Sequence, residues 1–121
     1  MKKLFLSDVD GTLIENVNPL ISTENKEAIN QWRNKGNCFG LVTGRNITLC
    51  EELLSLNELE VDCLLACNGA ISFWKGNLIK KTCINVEKSR KVLDIVLEFA
   101  PTLVPFISEN GMTYFPKSHL S

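Results

Sequence analysis

The amino-acid sequence predicts an α/β protein: a doubly wound parallel sheet, followed from about residue 82 by the start of a smaller α+β unit. Three observations carry this. Short apolar runs at Leu4–Leu6, Cys38–Val42 and Val61–Ala66 alternate with two stretches of helical periodicity. Each run ends in a polar loop containing glycine: Asp8-Val9-Asp10-Gly11-Thr12, Thr43-Gly44-Arg45 and Asn68-Gly69-Ala70. Beyond Ala70 the pattern changes to hairpin signals around a single amphipathic helix.

The first run is too uniform for a strand with one wet face, which predicts a strand covered on both sides. Asp8 and Asp10 would share a side if the strand continued, because side chains alternate with a period of two. Gly11 instead turns the chain, leaving both acids at the carboxyl end, where open α/β sheets bind ligands. A polar connection, Asn16 to Leu20, leads to a helix capped by Ser22 or Thr23, with Glu24 and Glu27 favourable to its dipole. Ala28, Ile29 and Trp32 lie on its inner face as core packing, and Gly36 is placed to end it. After the second strand, Ile47, Cys50, Leu53 and Leu54 line one side of a second helix, opposite Glu51 and Glu52. Right-handed crossovers then give β-α-β-α-β.

Ile71–Trp74 and Leu78–Lys80 flank Lys75-Gly76-Asn77 and predict a hairpin. A third helix over Val86 to Ala100 points Val92, Leu93, Val96 and Phe99 inward, leaves Lys88, Arg90 and Lys91 in solvent and stops at Pro101. Phe106–Ser108 and Met112–Phe115 flank Asn110-Gly111, a second hairpin signal. The expected organisation is a core over residues 1–81 and a second unit over 82–121.

The 121 residues are long enough to bury a core without disulfide staples. Hydrophobic content of 45% with 22% charged residues is that of a soluble globular chain. The net charge of −1, with acids and bases interspersed, offers nothing to nucleic acid or an anionic membrane. Cys38, Cys50, Cys63, Cys67 and Cys83 form no even framework and lack zinc-ligand spacing, so buried reduced thiols and a cytoplasmic location are expected. Met1-Lys2-Lys3 mimics the start of an export signal, but the apolar run stops at Ser7-Asp8, so neither a signal nor a membrane span is expected.

Asp-Gly alone is a common turn dipeptide, and Thr-Gly at a strand end is an ordinary helix entry. The complete string Asp8-x-Asp10-Gly11-Thr12 behind an apolar strand, with Thr43-Gly44 one βα unit later, is far rarer by composition. Together they resemble the haloacid dehalogenase-like phosphohydrolases, whose core is Rossmann-like. Asn68-Gly69-Ala70 after the third strand resembles the Cof-type branch, in which an α+β cap is inserted there.

The resemblance implies that Asp8 is the nucleophile and forms an aspartyl-phosphate, while Asp10 is general acid and then base. It implies Mg²⁺ held by the Asp8 carboxylate and the Asp10 main-chain carbonyl. Thr43, Gly44 and Asn68 would bind phosphate, and the substrate would be a small phosphorylated metabolite such as a sugar phosphate. The family also uses a later Lys and an acidic pair at the fourth strand. Lys117 and His119 have neither that strand context nor acidic neighbours and read as surface residues. The match therefore covers about half of a typical member, and an incomplete chain with little activity alone is expected. The first strand would then keep an unpaired apolar edge, implying a homodimer or pairing with a separate C-terminal chain. A non-catalytic remnant that binds phosphate or a partner is the alternative. A receiver-type phospho-acceptor domain fits poorly, because its acceptor Asp ends the third strand, where this chain has Cys67-Asn68.

Overall fold

The computed structural model describes residues 1–15, 17–110 and 112–115. The chain divides into two compact units, Met1–Thr82 and Cys83–Ser121. In the first unit, β1 (Leu4–Asp8), β2 (Cys38–Val42) and β3 (Cys63–Ala66) run parallel. β4 (Ile71–Trp74) and β5 (Asn77–Lys81) follow antiparallel, in spatial order β1-β2-β3-β4-β5. The α/β class is as the sequence predicts, on a mixed sheet. The reversal after β3 has a local cause: Cys67 and Asn68 adopt left-handed φ of 51° and 55°, and Gly69 follows at +90°. Lys75 and Gly76, both left-handed, close the two-residue turn from β4 to β5, so Asn77 is already paired with Trp74.

α1 (Thr23–Asn34) starts at Ser22, whose Oγ accepts the Asn25 N–H at 3.2 Å, and stops before Gly36 at φ +84°. α2 (Ile47–Leu56) starts at Asn46, whose Oδ1 accepts the Leu49 N–H at 2.9 Å. Ile29 from α1 and Cys50 and Leu53 from α2 join Val9, Phe39, Leu41, Leu64 and Ala66 in one buried cluster. Ala28, expected in this core, is exposed. Trp32 is half-buried, packs edge-on against Phe5 and donates its indole N–H to the Cys38 carbonyl at 2.8 Å.

Two buried polar side chains tie the connections to the core. The Asn57 carbonyl accepts the Ile21 N–H at 2.7 Å, and its amide donates to the carbonyls of Pro19 and Leu53. Asp62 accepts both prongs of Arg33 at 3.0 and 3.1 Å and the Phe39 N–H at 2.9 Å. The Arg33 guanidinium therefore holds the Asp62 carboxyl below the usual carboxylate range.

β1 departs from its expected burial on both faces: Leu4, Phe5 and Leu6 are 49%, 55% and 41% exposed. The reason is position. β1 is the edge of the described sheet, with β2 as its one neighbour, so these side chains are covered from one flank only. The thiols also differ from expectation. Cys38 and Cys50 are buried, but Cys63 and Cys67 are half-buried and Cys83 is exposed.

The second unit contains α3 (Val86–Phe99) and the hairpin β6 (Ile107–Glu109) and β7 (Met112–Tyr114). Asn85 caps α3, its Oδ1 accepting the Lys88 N–H at 2.8 Å. Leu93 and Val96 are half-buried, whereas Val92 and Phe99, expected to point inward, are exposed. One helix and two short strands offer too little apolar surface to cover the whole stripe. Asn16, Gly111, Lys117 and His119 lie outside the described residues. No helix among the described residues is long and apolar enough to cross a membrane.

Candidate active site

The acid loop is wound around one buried carbonyl. Val9 is fully buried, and its C=O accepts the N–H groups of Thr12, Leu13 and Ile14 at 3.2, 2.9 and 3.1 Å. Gly11, at φ +79°, donates its N–H back to the Ile14 carbonyl at 2.9 Å. This turn needs the left-handed conformation that glycine adopts without strain. It leaves Asp8 and Asp10 exposed at the carboxyl end of β1. Thr12 Oγ1 donates to Asp8 Oδ2 at 3.0 Å, which fixes one carboxylate oxygen and leaves Oδ1 outside that bond.

The ends of β2 and β3 are laced together beside this loop. Asp8 is in register with Val42, so Thr43 is the next residue along the neighbouring strand. Thr43 donates its N–H to Leu65 at 2.9 Å, and its carbonyl accepts the Asn68 N–H at 2.9 Å. Its Oγ1 accepts the Arg45 N–H at 3.1 Å, and the Arg45 carbonyl accepts the Cys67 N–H at 2.9 Å. Gly44 lies against Asn68 so closely that a Cβ there would stand 3.1 Å from Asn68 Oδ1. Asp8, Asp10, Thr43, Gly44 and Asn68 are thus gathered at the carboxyl ends of three consecutive parallel strands. Thr43 is more enclosed than the sequence suggests, at 5% exposure.

Arg45, given no role in the sequence reading, completes the group. Its Nε and one terminal nitrogen donate to Asp10 Oδ2 and Oδ1 at 2.8 and 2.6 Å, a two-pronged charge-assisted pair across 35 residues of chain. The fork holds the Asp10 carboxyl below its usual range. Only an Arg two residues beyond the strand-end Thr hinted at this pairing. Under the same loop, burial pushes the fully enclosed Cys50 thiol up to about 11, which makes it a packing group rather than a nucleophile. A 590 Å³ cleft lined by residues such as Ile47, Leu54, Leu64 and Phe73 includes none of the five predicted site residues.

The oxygen donors fit a hard divalent cation in a limited sense. Asp8 offers a carboxylate, and the loop's hydrogen bonds run to the carbonyls of Val9 and Ile14, leaving that of Asp10 outside them. Mg²⁺ commonly binds through one or two protein oxygens with water and substrate phosphate completing its shell. Among the described residues no three His, Cys, Asp or Glu side chains cluster as a metal cage.

The sequence profile of the haloacid dehalogenase-like hydrolases matches residues 5–120. Over 95 residues, 77% of this chain, the sequence is 33% identical to a 5-amino-6-(5-phospho-D-ribitylamino)uracil phosphatase, YcsE, of Bacillus subtilis. The chain spans 37% of that relative's length. Among solved structures, a phosphatase of the same superfamily from Bacteroides thetaiotaomicron, BT1666, superposes with a TM-score of 0.76 at 26% identity over 95% of this chain and 41% of its own. The subclass IIB sugar phosphatase BT4131 gives 0.70 at 27% identity over 98% and 45%. A haloacid dehalogenase-like hydrolase from Bacillus subtilis shares the fold with a TM-score of 0.81 at 22% identity over 95% and 39%.

Proposed function

Because the chain belongs to the haloacid dehalogenase-like hydrolases, we propose that it carries the phosphoryl-transfer site of a Cof-type, Mg²⁺-dependent phosphatase acting on small phosphorylated metabolites. The observation that carries this reading is the meeting of Asp8, Asp10 and Thr43 at neighbouring strand ends, with one Asp8 oxygen already fixed by Thr12. Asp8 Oδ1, outside that bond, attacks phosphorus in line and forms an aspartyl-phosphate. Asp10 passes a proton to the departing alkoxide and later takes one from the water that hydrolyses the intermediate. The Thr43 hydroxyl, with Gly44 and Asn68 beside it, orients the phosphoryl oxygens. Bound Mg²⁺, held by the Asp8 carboxylate and the Asp10 carbonyl, would neutralise charge on those oxygens.

The substrate class is supported by the relatives, whose names specify a phosphoribityl compound and sugar phosphates. The test is hydrolysis of p-nitrophenyl phosphate with Mg²⁺ by the wild-type protein and by Asp8→Asn. Little turnover is expected from this chain alone, and Asp8→Asn should abolish what there is. Equal rates in the two proteins would remove the catalytic reading, and retained orthophosphate binding would then favour a non-catalytic phosphate-binding role.

The reading extends to location and partners. A cytoplasmic site suits free thiols. The exposed apolar edge of β1 favours pairing with a second copy or with a separate chain. Sedimentation as a monodisperse monomer, with slow amide exchange along Leu4 to Val9, would refute the pairing.

A further inference from the structure

We propose that Arg45 is a positioning residue for the reaction: it clamps the Asp10 carboxylate in the orientation that faces the leaving group. The inference rests on the phosphatase reading of Asp8 and Asp10. Three features of the structure argue for it. The contact is a fork, with Nε on one carboxylate oxygen and a terminal nitrogen on the other, at 2.8 and 2.6 Å. A single-point contact would leave the carboxylate free to rotate about its last torsion, whereas two parallel bonds fix its plane. Both ends are also anchored through the backbone. The Asp10 loop is wound on the Val9 carbonyl, and Arg45 is held by Thr43 Oγ1 at its N–H and by the Cys67 N–H at its carbonyl.

An exposed ion pair between mobile side chains contributes little, because ordering both side chains offsets the Coulomb gain. Here the Asp10 side chain is 46% and the Arg45 side chain 26% exposed, but the two backbones are ordered by other bonds, so less freedom is lost in forming the fork. The third feature is the position of Arg45 on the element that also carries Thr43. Movement of the phosphate-orienting hydroxyl and of the acid–base carboxylate is thereby coupled through one short loop.

The test separates positioning from substrate binding and from general stability. Arg45→Gln removes the charged fork, and Arg45→Lys keeps the charge without it. Two substrates are compared by kcat/KM, which reports the steps up to phosphoryl transfer: glucose 6-phosphate, whose alkoxide needs a proton, and p-nitrophenyl phosphate, whose leaving group departs as the anion. A misaimed general acid should cost Arg45→Gln about a hundredfold on glucose 6-phosphate. The loss on p-nitrophenyl phosphate should stay within about threefold on the same reasoning. Arg45→Lys should recover only part of the larger loss.

Equal losses on both substrates, or a rise in KM with kcat retained, would overturn the proposal, the latter by making Arg45 a phosphate ligand. The contact itself is read separately by the ¹⁵N-detected Arg45 Nε–H signal. It should be slow to exchange in the wild-type protein and in Asp8→Asn, and be lost in Asp10→Asn. A signal insensitive to Asp10→Asn would overturn the clamp. Where the wild-type protein turns over too little for the two substrates to be compared, the Nε–H signal decides the clamp by itself.

Discussion

Gly40→Ala should break the sheet at the point that sets the spacing of the site. Gly40 is paired with Leu6 on β1 and with Cys63 on β3. A Cβ there would lie 2.6 Å from Cys63 Cβ, 2.6 Å from the Cys63 carbonyl oxygen and 2.9 Å from Leu6 Cδ2. Ordinary carbon contacts begin near 3.5 Å. The Leu6 methyl is the end of a flexible side chain and can swing away. Cys63 cannot, because its backbone belongs to the ladder, so β2 and β3 must part by several tenths of an ångström. Overpacking costs about 1–3 kcal/mol, and a clash against backbone belongs at the upper end, about 3 kcal/mol. With a urea slope of about 1–1.5 kcal/mol per molar for a unit this small, the midpoint should fall by about 2–3 M. Both tryptophans, Trp32 and Trp74, lie in Met1–Thr82, so their fluorescence reports this unit alone. Leu6 precedes Asp8 by two residues and Gly40 precedes Thr43 by three, so the same displacement should weaken orthophosphate binding. The decisive variant is Leu6→Ala in the Gly40→Ala background, which relieves only the 2.9 Å contact. Full recovery in that double variant, or an unchanged midpoint in Gly40→Ala, would refute the backbone clash.

Asp62→Asn leaves the half-buried prongs of Arg33 facing a neutral amide, and should lower stability by about 2 kcal/mol, a charge-assisted hydrogen bond's share discounted for the 26% exposure of Arg33. Thermal unfolding of the two proteins at neutral pH checks this, and equal melting temperatures would remove Asp62 from the account of stability. The pH dependence has a definite sign. The folded-state pKa of Asp62 is depressed, so its contribution is complete above the usual carboxylate range and is lost as pH falls through the lower, folded value. The wild-type melting temperature should therefore fall more steeply below about pH 4 than that of Asp62→Asn. Parallel profiles would show that the Arg33 fork is not the cause.

Periodicity and end signals made most of the first unit legible. Ser22 sits where a short acceptor before an amphipathic run starts a helix, and it accepts an N–H three residues on. Gly36 ends α1 because its φ of +84° closes the helix without strain. The three apolar runs paired in parallel because a helix long enough to cross back separates each from the next. What was not legible depends on neighbours far along the chain. The apolar letters of Leu4, Phe5 and Leu6 suit a central strand, yet their burial is decided by what lies beyond the β1 edge. Val92 and Phe99 obey the helical period, but a period names a face without supplying a surface to cover it.

The candidate site shows the same division more sharply. Asp8, Asp10, Thr43, Gly44 and Asn68 could be placed together from sequence because each follows a strand end, and parallel strands bring those ends to one edge. The backbone ladder alone does this, setting Asp8 opposite Val42 with Thr43 next along β2. The side-chain partnership between Asp10 and Arg45 is of another kind. Its place two residues beyond Thr43 is the one local hint that Arg45 is more than a solvated helix-entry residue, and the pair forms because two loops, 35 residues apart, are each wound by their own hydrogen bonds into reach. The partner that holds the Asp10 carboxyl below its usual range is therefore tertiary in origin. A substitution in either winding, such as at Gly11 or Thr43, should disturb Asp10 without touching it.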